Sequence, residues 1–294
     1  MSRLFTLAFL AQAVRIALPY LAASMGGIWS ERAGVPNVAL EGTILVAALG
    51  AVAGTTLTGS AWLGLIVGLL AGVLLQIVHA LVVLIGRANA IVSGLALNLL
   101  AAGGTRFLLR ALYDSSSNSP AIPGLAPPAS TSLLRATVLD PTTWMVAAVV
   151  VGTIVALERT RLGLRVRAVG EHPEAAASVG VPVARTRAVA LAITGATAGL
   201  AGVWLAFDQR QFSSGMSGGR GFIALATVVI AGWRPLPAVG FALLFGVAEA
   251  AQIVLQDQNV VAHQVVQALP YVLTLVVLAG WVRRARPPAA LGRP

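Results

Sequence analysis

The sequence predicts an all-α, polytopic membrane protein with about 8–10 transmembrane or half-membrane helices, since crossing a hydrocarbon core takes roughly 20 helical residues. Three observations carry this expectation. Hydrophobic residues make up 57% of the chain and charged residues 10%, against about a quarter charged in a soluble domain. The mean hydropathy is +0.87, and apolar runs recur along the whole chain rather than at one end. The arginines gather in short polar stretches between those runs, as in chains oriented by basic loops. A closed barrel would need alternating strands, so helices are left to satisfy the backbone in lipid.

The first run, residues 4–23, follows Met1-Ser2-Arg3 and is followed at once by others, which favours an uncleaved first span over a cleaved signal peptide. Glycines and Pro36 then interrupt the pattern. Residues 26–42 are expected to form a broken, partly re-entrant helix, on which Asn37 and Glu41, four residues apart, would share one face. Further spans are expected at 44–58, 62–85 and 91–112. Residues 113–141, rich in Ser and Pro, read as a loop. Spans at 142–157, 188–207, 238–255 and 265–282 complete the set. The shorter stretch 222–232 ends at Trp233-Arg234-Pro235-Leu236-Pro237, where the prolines forbid smooth continuation.

One transmembrane domain over residues 1–294 is the expected organisation. Arg159, Arg161, Arg165, Arg167, Arg185 and Arg187 fall in the loop 158–187, and Arg283, Arg284, Arg286 and Arg293 in the tail 283–294. The positive-inside rule places both in the cytoplasm, with Arg32 and Arg87, and leaves residues 113–141 outside. The N-terminus comes out external if 4–23 and 44–58 each span once, which Arg3 and Arg15 fit poorly; a re-entrant 26–42 would move it inside. Residues 34–112 and 218–282 each begin with a glycine-rich stretch and carry three apolar segments. Their opposite directions suit an inverted repeat, although alanine- and leucine-rich helices resemble one another by chance.

Several function classes are disfavoured. There is no lysine, hence no P-loop lysine for a standard nucleotide site. Cysteine is absent, which removes disulfides and thiolate chemistry. His79, His172 and His263 are scattered, and no carboxylate cluster stands at metal-ligand spacing. Gly215-Met216-Ser217-Gly218-Gly219 is not a nucleophile elbow and reads as a flexible loop. A catalytic chain is not expected. The net charge of +10 is explained by the basic loops, without nucleic acid as a partner.

The loop 158–187 holds the most local signal. In His172-Pro173-Glu174-Ala175-Ala176-Ala177-Ser178-Val179-Gly180, Pro173 suits the first helical position and Glu174 complements the positive end of the dipole, while Gly180 ends the helix before Pro182. The spacing Glu-Ala-Ala-x-x-x-Gly resembles the coupling helix of ATP-binding-cassette (ABC) importer permeases. Ser30-Glu31-Arg32-Ala33-Gly34-Val35-Pro36-Asn37-Val38-Ala39-Leu40-Glu41-Gly42 is similar to the opening segment of nucleoside and simple-sugar permeases of that class. Gly221-Phe222-Ile223-Ala224-Leu225-Ala226, Gly232-Trp233-Arg234-Pro235-Leu236 and Gly195-Ala196-Thr197-Ala198-Gly199-Leu200-Ala201-Gly202 follow in the family's order. The chain thus resembles the branched-chain amino acid, ribose and nucleoside group of importer permeases, and within it the smaller nucleoside-type subunit. Pro36 and the loop 115–140 depart from the pattern.

The resemblance implies a multi-pass subunit of the bacterial inner membrane with a cytoplasmic C-terminus, probed by four kinds of partner. These are a cytoplasmic ABC ATPase that carries the ATP and Mg, a second permease subunit, a solute-binding lipoprotein or periplasmic protein, and membrane lipid. No cofactor is expected on this chain. Arg167, Glu171, Pro173, Glu174, Ala175, Ala176 and Gly180 would meet the ATPase. For the solute pathway, polar side chains inside spans are the candidates because they are costly there: Asn37, Glu41, Gln76, His79, Ser93, Asn98 and Glu249. Each would equally serve as an interhelical hydrogen bond. An ion-coupled secondary transporter built on inverted repeats is the alternative reading.

Overall fold

A computed structural model describes residues 6–125, 137–257 and 286–293. Helix α1 (Leu7–Arg32) starts on Thr6, whose hydroxyl accepts the Phe9 N–H at 3.2 Å. It runs on through Gly26 and Gly27, past the span end expected at residue 23, so the segment 26–42 expected to be broken is broken only beyond Arg32. Those glycines serve close packing instead. A Cβ on Gly26 would stand 2.5 Å from Thr197 Oγ1, and Thr194 Oγ1 donates to the Gly26 carbonyl at 2.7 Å. The chain breaks at residues 33–39. There Gly34, at φ +90°, lets its own N–H reach the Glu31 carbonyl at 2.9 Å and the Val35 N–H reach Ser30 at 3.0 Å.

Helix α2 (Leu40–Thr58) begins beyond that break. Asn37 therefore lies in the connecting turn and Glu41 in the first turn of α2, so the two do not share the helical face expected of them. Next come α3 (Ala61–Ala80), extended by a π turn over Leu81–Ile85, and α4 (Ala90–Tyr113), whose start is capped by Asn89. Helix α5 (Pro141–Arg159) is capped by Asp140. The loop expected over 158–187 is mostly helical: α6 (Arg161–Glu171) and the short α7 (Pro173–Ser178) fill it, and α8 (Val183–Gln209) takes in Arg185 and Arg187. Helix α9 (Arg220–Ile230) and α10 (Pro235–Asp257) follow. Among the described residues seven helices are long and apolar enough to cross a membrane, α9 being too short. The span expected at 265–282 and Arg283 and Arg284 of the tail lie outside the described residues.

Helix α8 is the central post, packed on α1, α2 and α3. The contacts are made by small residues, which let backbones approach where lipid offers no hydrophobic drive between helices. A Cβ on Gly64 would fall 1.9 Å from Thr55 Oγ1, on Gly72 2.6 Å from the Gly195 carbonyl, and on Gly202 2.0 Å from the Ile44 carbonyl. The glycine rows at 64, 68 and 72 and at 195 and 199 are thus internal packing. The two faces of the bundle are distinct. On one, the Arg32 end of α1 meets α6, Trp233 and residues 289–292. On the other, residues 117–122 bond to 210–214 beyond α8, with Ser119 N–H to the Phe212 carbonyl at 2.9 Å.

Candidate functional site

The short helix α7 stands out from the first of these faces. Its start lacks a side-chain cap, but Pro173 fills a position whose N–H would have no partner and Glu174 lies in the first turn. It ends by the Gly180 N–H donating to Ala177 at 2.9 Å and the Val181 N–H to Ala176 at 3.0 Å. Gly180 has φ +83°, and a Cβ there would meet nothing within 4 Å. Ala176 is buried, whereas Glu174, Ala175, Ala177, Ser178, Val179 and Gly180 are exposed. Val179, just past the end of the helix, is 78% exposed.

Beneath it, α6 is fastened to the end of α1. Its buried positions, Gly163, Val166, Val169 and Gly170, recur at helical spacing. A Cβ on Gly170 would lie 2.0 Å from the Arg32 carbonyl. The Gly170 carbonyl accepts the Ala290 N–H at 2.9 Å, and Gly292 N–H donates to Gly34 at 3.0 Å. Glu171 sits 3.9 Å from the Arg32 guanidinium and accepts the Ala289 N–H at 3.2 Å. Arg32 Nε in turn donates to the Trp233 carbonyl at 2.8 Å. Glu171 thus bonds internally while Glu174, Ala175 and Ala177 to Gly180 face outward. Arg167 is half-buried on α6.

Inside the bundle the candidate pathway residues form two groups. In the first, Asn37 Nδ2 donates to Gln76 Oε1 at 2.8 Å and Gln76 Nε2 to Thr43 Oγ1 at 2.8 Å. His79 Nδ1 and Ser93 Oγ are 3.0 Å apart. Asn98 braces the turn before α2, accepting the Gly42 N–H at 2.8 Å and donating to the Val38 carbonyl at 2.9 Å. All of these lie where α2, α3 and α4 meet.

In the second group, the starts of α2 and α9 abut: a Cβ on Gly221 would fall 2.4 Å from the Glu41 nitrogen. Glu41 accepts the Gly219 N–H at 2.8 Å and the Gly221 N–H at 2.7 Å. It supplies the start of α9, which has no side-chain cap of its own. From this junction α2 runs to one face of the bundle and α9 to the other, an inverted pair. Glu249 pairs with Arg220 at 2.7 Å and accepts from Tyr20 Oη.

Every candidate pathway residue therefore carries a named interhelical or capping bond. Arg220, Tyr20 and Thr43 were not singled out from the sequence. Arg220 was findable, as a lone charge between Gly219 and Gly221 ahead of an apolar run; Tyr20 and Thr43 carry no such signal. Arg15, which fitted the topology poorly, is paired with Asp208 and lies 5.7 Å from the Trp204 ring centre. Among the described residues no group of three or more His, Asp or Glu side chains could hold a metal ion.

Comparison with known proteins supplies what geometry leaves open. The family described as branched-chain amino acid transport system / permease component matches residues 9–278. The guanosine ABC transporter permease protein of Bacillus subtilis is 34% identical over 95% of this chain and 93% of its own. The nucleoside ABC transporter permease protein NupC of Lactococcus lactis is 32% identical over 93% of this chain and 92% of its own. A glucose ABC transporter permease protein of Haloferax volcanii is 28% identical over 73% of this chain and 61% of its own.

Proposed function

The chain belongs to the branched-chain amino acid transport system permease family, and from that membership we propose that it is the membrane-embedded permease subunit of an ABC importer for nucleosides or related sugars. Nucleosides and sugars both stand in this reading because the relatives similar over most of this chain are named for guanosine, for nucleosides and for glucose. In this reading a separate cytoplasmic ATPase binds ATP and Mg, a second permease completes the pathway, and a solute-binding lipoprotein or periplasmic protein delivers the solute. The membrane is the bacterial inner membrane, with α6, α7 and the C-terminal tail in the cytoplasm.

The observation that carries the energy-coupling part is the exposed α7 on a rigid base. A partner that grips Glu174 to Gly180 would move α6, and α6 is locked backbone to backbone on Arg32 and Gly34 at the end of α1. From there the turn 33–39 leads through Asn37 to Gln76 on α3 and through Glu41 to the start of α9. Contiguous packed elements of this kind are a physical route for coupling. The pathway is expected beside the junction where α2 and α9 abut, where the polar residues would act on the solute by shaping that junction.

Glu174→Ala and Gly180→Val test this in the assembled transporter. The first removes the charge at the helix start; the second puts a β-branched residue at positive φ, which costs roughly 1–2 kcal/mol. Uptake should fall about ten-fold, the scale of an ordinary coupling free energy, and solute-stimulated ATP hydrolysis should fall with it, while the amount of inserted protein holds. Normal uptake and normal ATPase attachment in both variants would rule the reading out.

A further inference from the structure

A cavity of 470 Å³ opens on the α6–α7 face between the π turn of α3, the start of α4, the start of α8 and the tail. We propose that it binds a phosphoryl group. The cavity is lined by Arg87, Arg187 and Arg293, with Asn89, Val183 and Ala184. None of the 10 acidic residues in the sequence lines it. Arg187 is 5% exposed. Its Nε donates to the Ala33 carbonyl at 3.2 Å, but Nη2 is buried without a protein partner. A guanidinium donor left unpaired away from water is costly, and an anion in the cavity would satisfy it.

The backbone adds to the same demand. Helix α8 starts on Pro182 with no side chain bonded to its first N–H groups, and Val183 and Ala184, its first two residues, line the cavity. Helix α4 also starts there, but Asn89 Oδ1 already accepts its Ile91 and Val92 N–H groups at 2.9 and 3.2 Å, so the open backbone donors are those of α8. Arg87, exposed and held at φ 53°, and the exposed Arg293 stand at the rim. Three guanidinium groups and free backbone N–H groups offer more donors than the two oxygens of a carboxylate accept; a phosphoryl group, with three or four oxygens, matches them better. The cavity lies at the ends of the spans, where a lipid headgroup stands, yet it is open to soluble phosphates too. It is independent of the proposed transport reaction and of α7.

The test uses the purified full chain in mild detergent, with thermal unfolding followed by the fluorescence of its 6 tryptophans. Inorganic phosphate and dihexanoylphosphatidylglycerol are titrated at constant ionic strength made up with chloride. A saturable rise in Tm with both probes supports the site and a soluble source. A rise with the lipid alone supports the site and a headgroup source. In either case Arg87→Gln and Arg293→Gln, at exposed rim positions, should each weaken the apparent affinity about ten-fold, as loss of one charge-assisted bond predicts. Arg187→Gln should abolish the rise, and the rim variants keep the question decidable if that protein fails to fold. No rise with either probe, or a rise undiminished in the rim double variant, would overturn the proposal.

Discussion

Glu41 accepts two backbone N–H groups from another helix, so its carboxylate completes a helix start nearly two hundred places away in sequence. Glu41→Ala leaves both donors without an acceptor and should lower stability by about 2–3 kcal/mol, since charged hydrogen bonds sit at the upper end of the usual range. Glu41→Gln, keeping one acceptor oxygen, should cost less; the midpoint of detergent thermal unfolding reads both. Arg220 and Glu249 form the neighbouring pair, each with about a fifth of its side chain exposed, at 21% and 19%. Glu249→Ala strands the guanidinium inside the bundle and should cost about 3 kcal/mol, whereas replacing both residues by methionine should cost less than either single change. A double variant worse than both singles would show that the pair is not what holds α9. The presence of Asn37, Gln76, Asn98 and Glu249 in apolar runs was readable as meaningful. Their partners were not, because a pairing such as Asn37 with Gln76 depends on how helices cross.

At the scale of elements, most span positions follow from apolar runs of the required length, and residues 62–85 of the sequence match α3 with its π turn. Two elements were misread for identifiable reasons. Gly26 and Gly27 look like a helix breaker, yet inside a bundle a glycine pair more often admits a neighbouring backbone. Helix α6 was hidden by its arginines, although Gly163, Val166, Val169 and Gly170 already stood at helical spacing. The same distinction between glycines can be tested. Gly202→Ala places a methyl where the Ile44 carbonyl stands 2.0 Å away, a backbone contact that cannot yield. It should shift α8 off α2 and cost about 2 kcal/mol or more, in the range for overpacking. Gly152→Ala on α5 meets nothing within 4 Å and should stabilise by about 0.5–1 kcal/mol through helix propensity alone. Equal effects on thermal unfolding would mean that close approach does not set α8.

For the whole molecule, the family could be read from segments in order along the chain, whereas sidedness rested on arginine placement alone. The structure adds an internal relation: α6, α7 and residues 286–293 share one face, and residues 117–122 with 210–214 share the other. Both faces are built from segments far apart in sequence, so their opposition is set by how many times α4, α5 and α8 cross. That number can be measured, because the chain contains no cysteine and single replacements report without background. Ser178→Cys on α7 and Ser116→Cys on the other face both stand at exposed positions. With a membrane-impermeant maleimide, Cys at 178 should label in inverted vesicles and be protected in right-side-out ones, and Cys at 116 should show the reverse. Labelling of both from one side would break the opposition of the two faces and with it the path from α7 to the junction at Glu41. Labelling with the sides exchanged would keep the bundle intact but put α7 out of reach of any cytoplasmic ATPase, so the two outcomes separate an error of fold from an error of orientation.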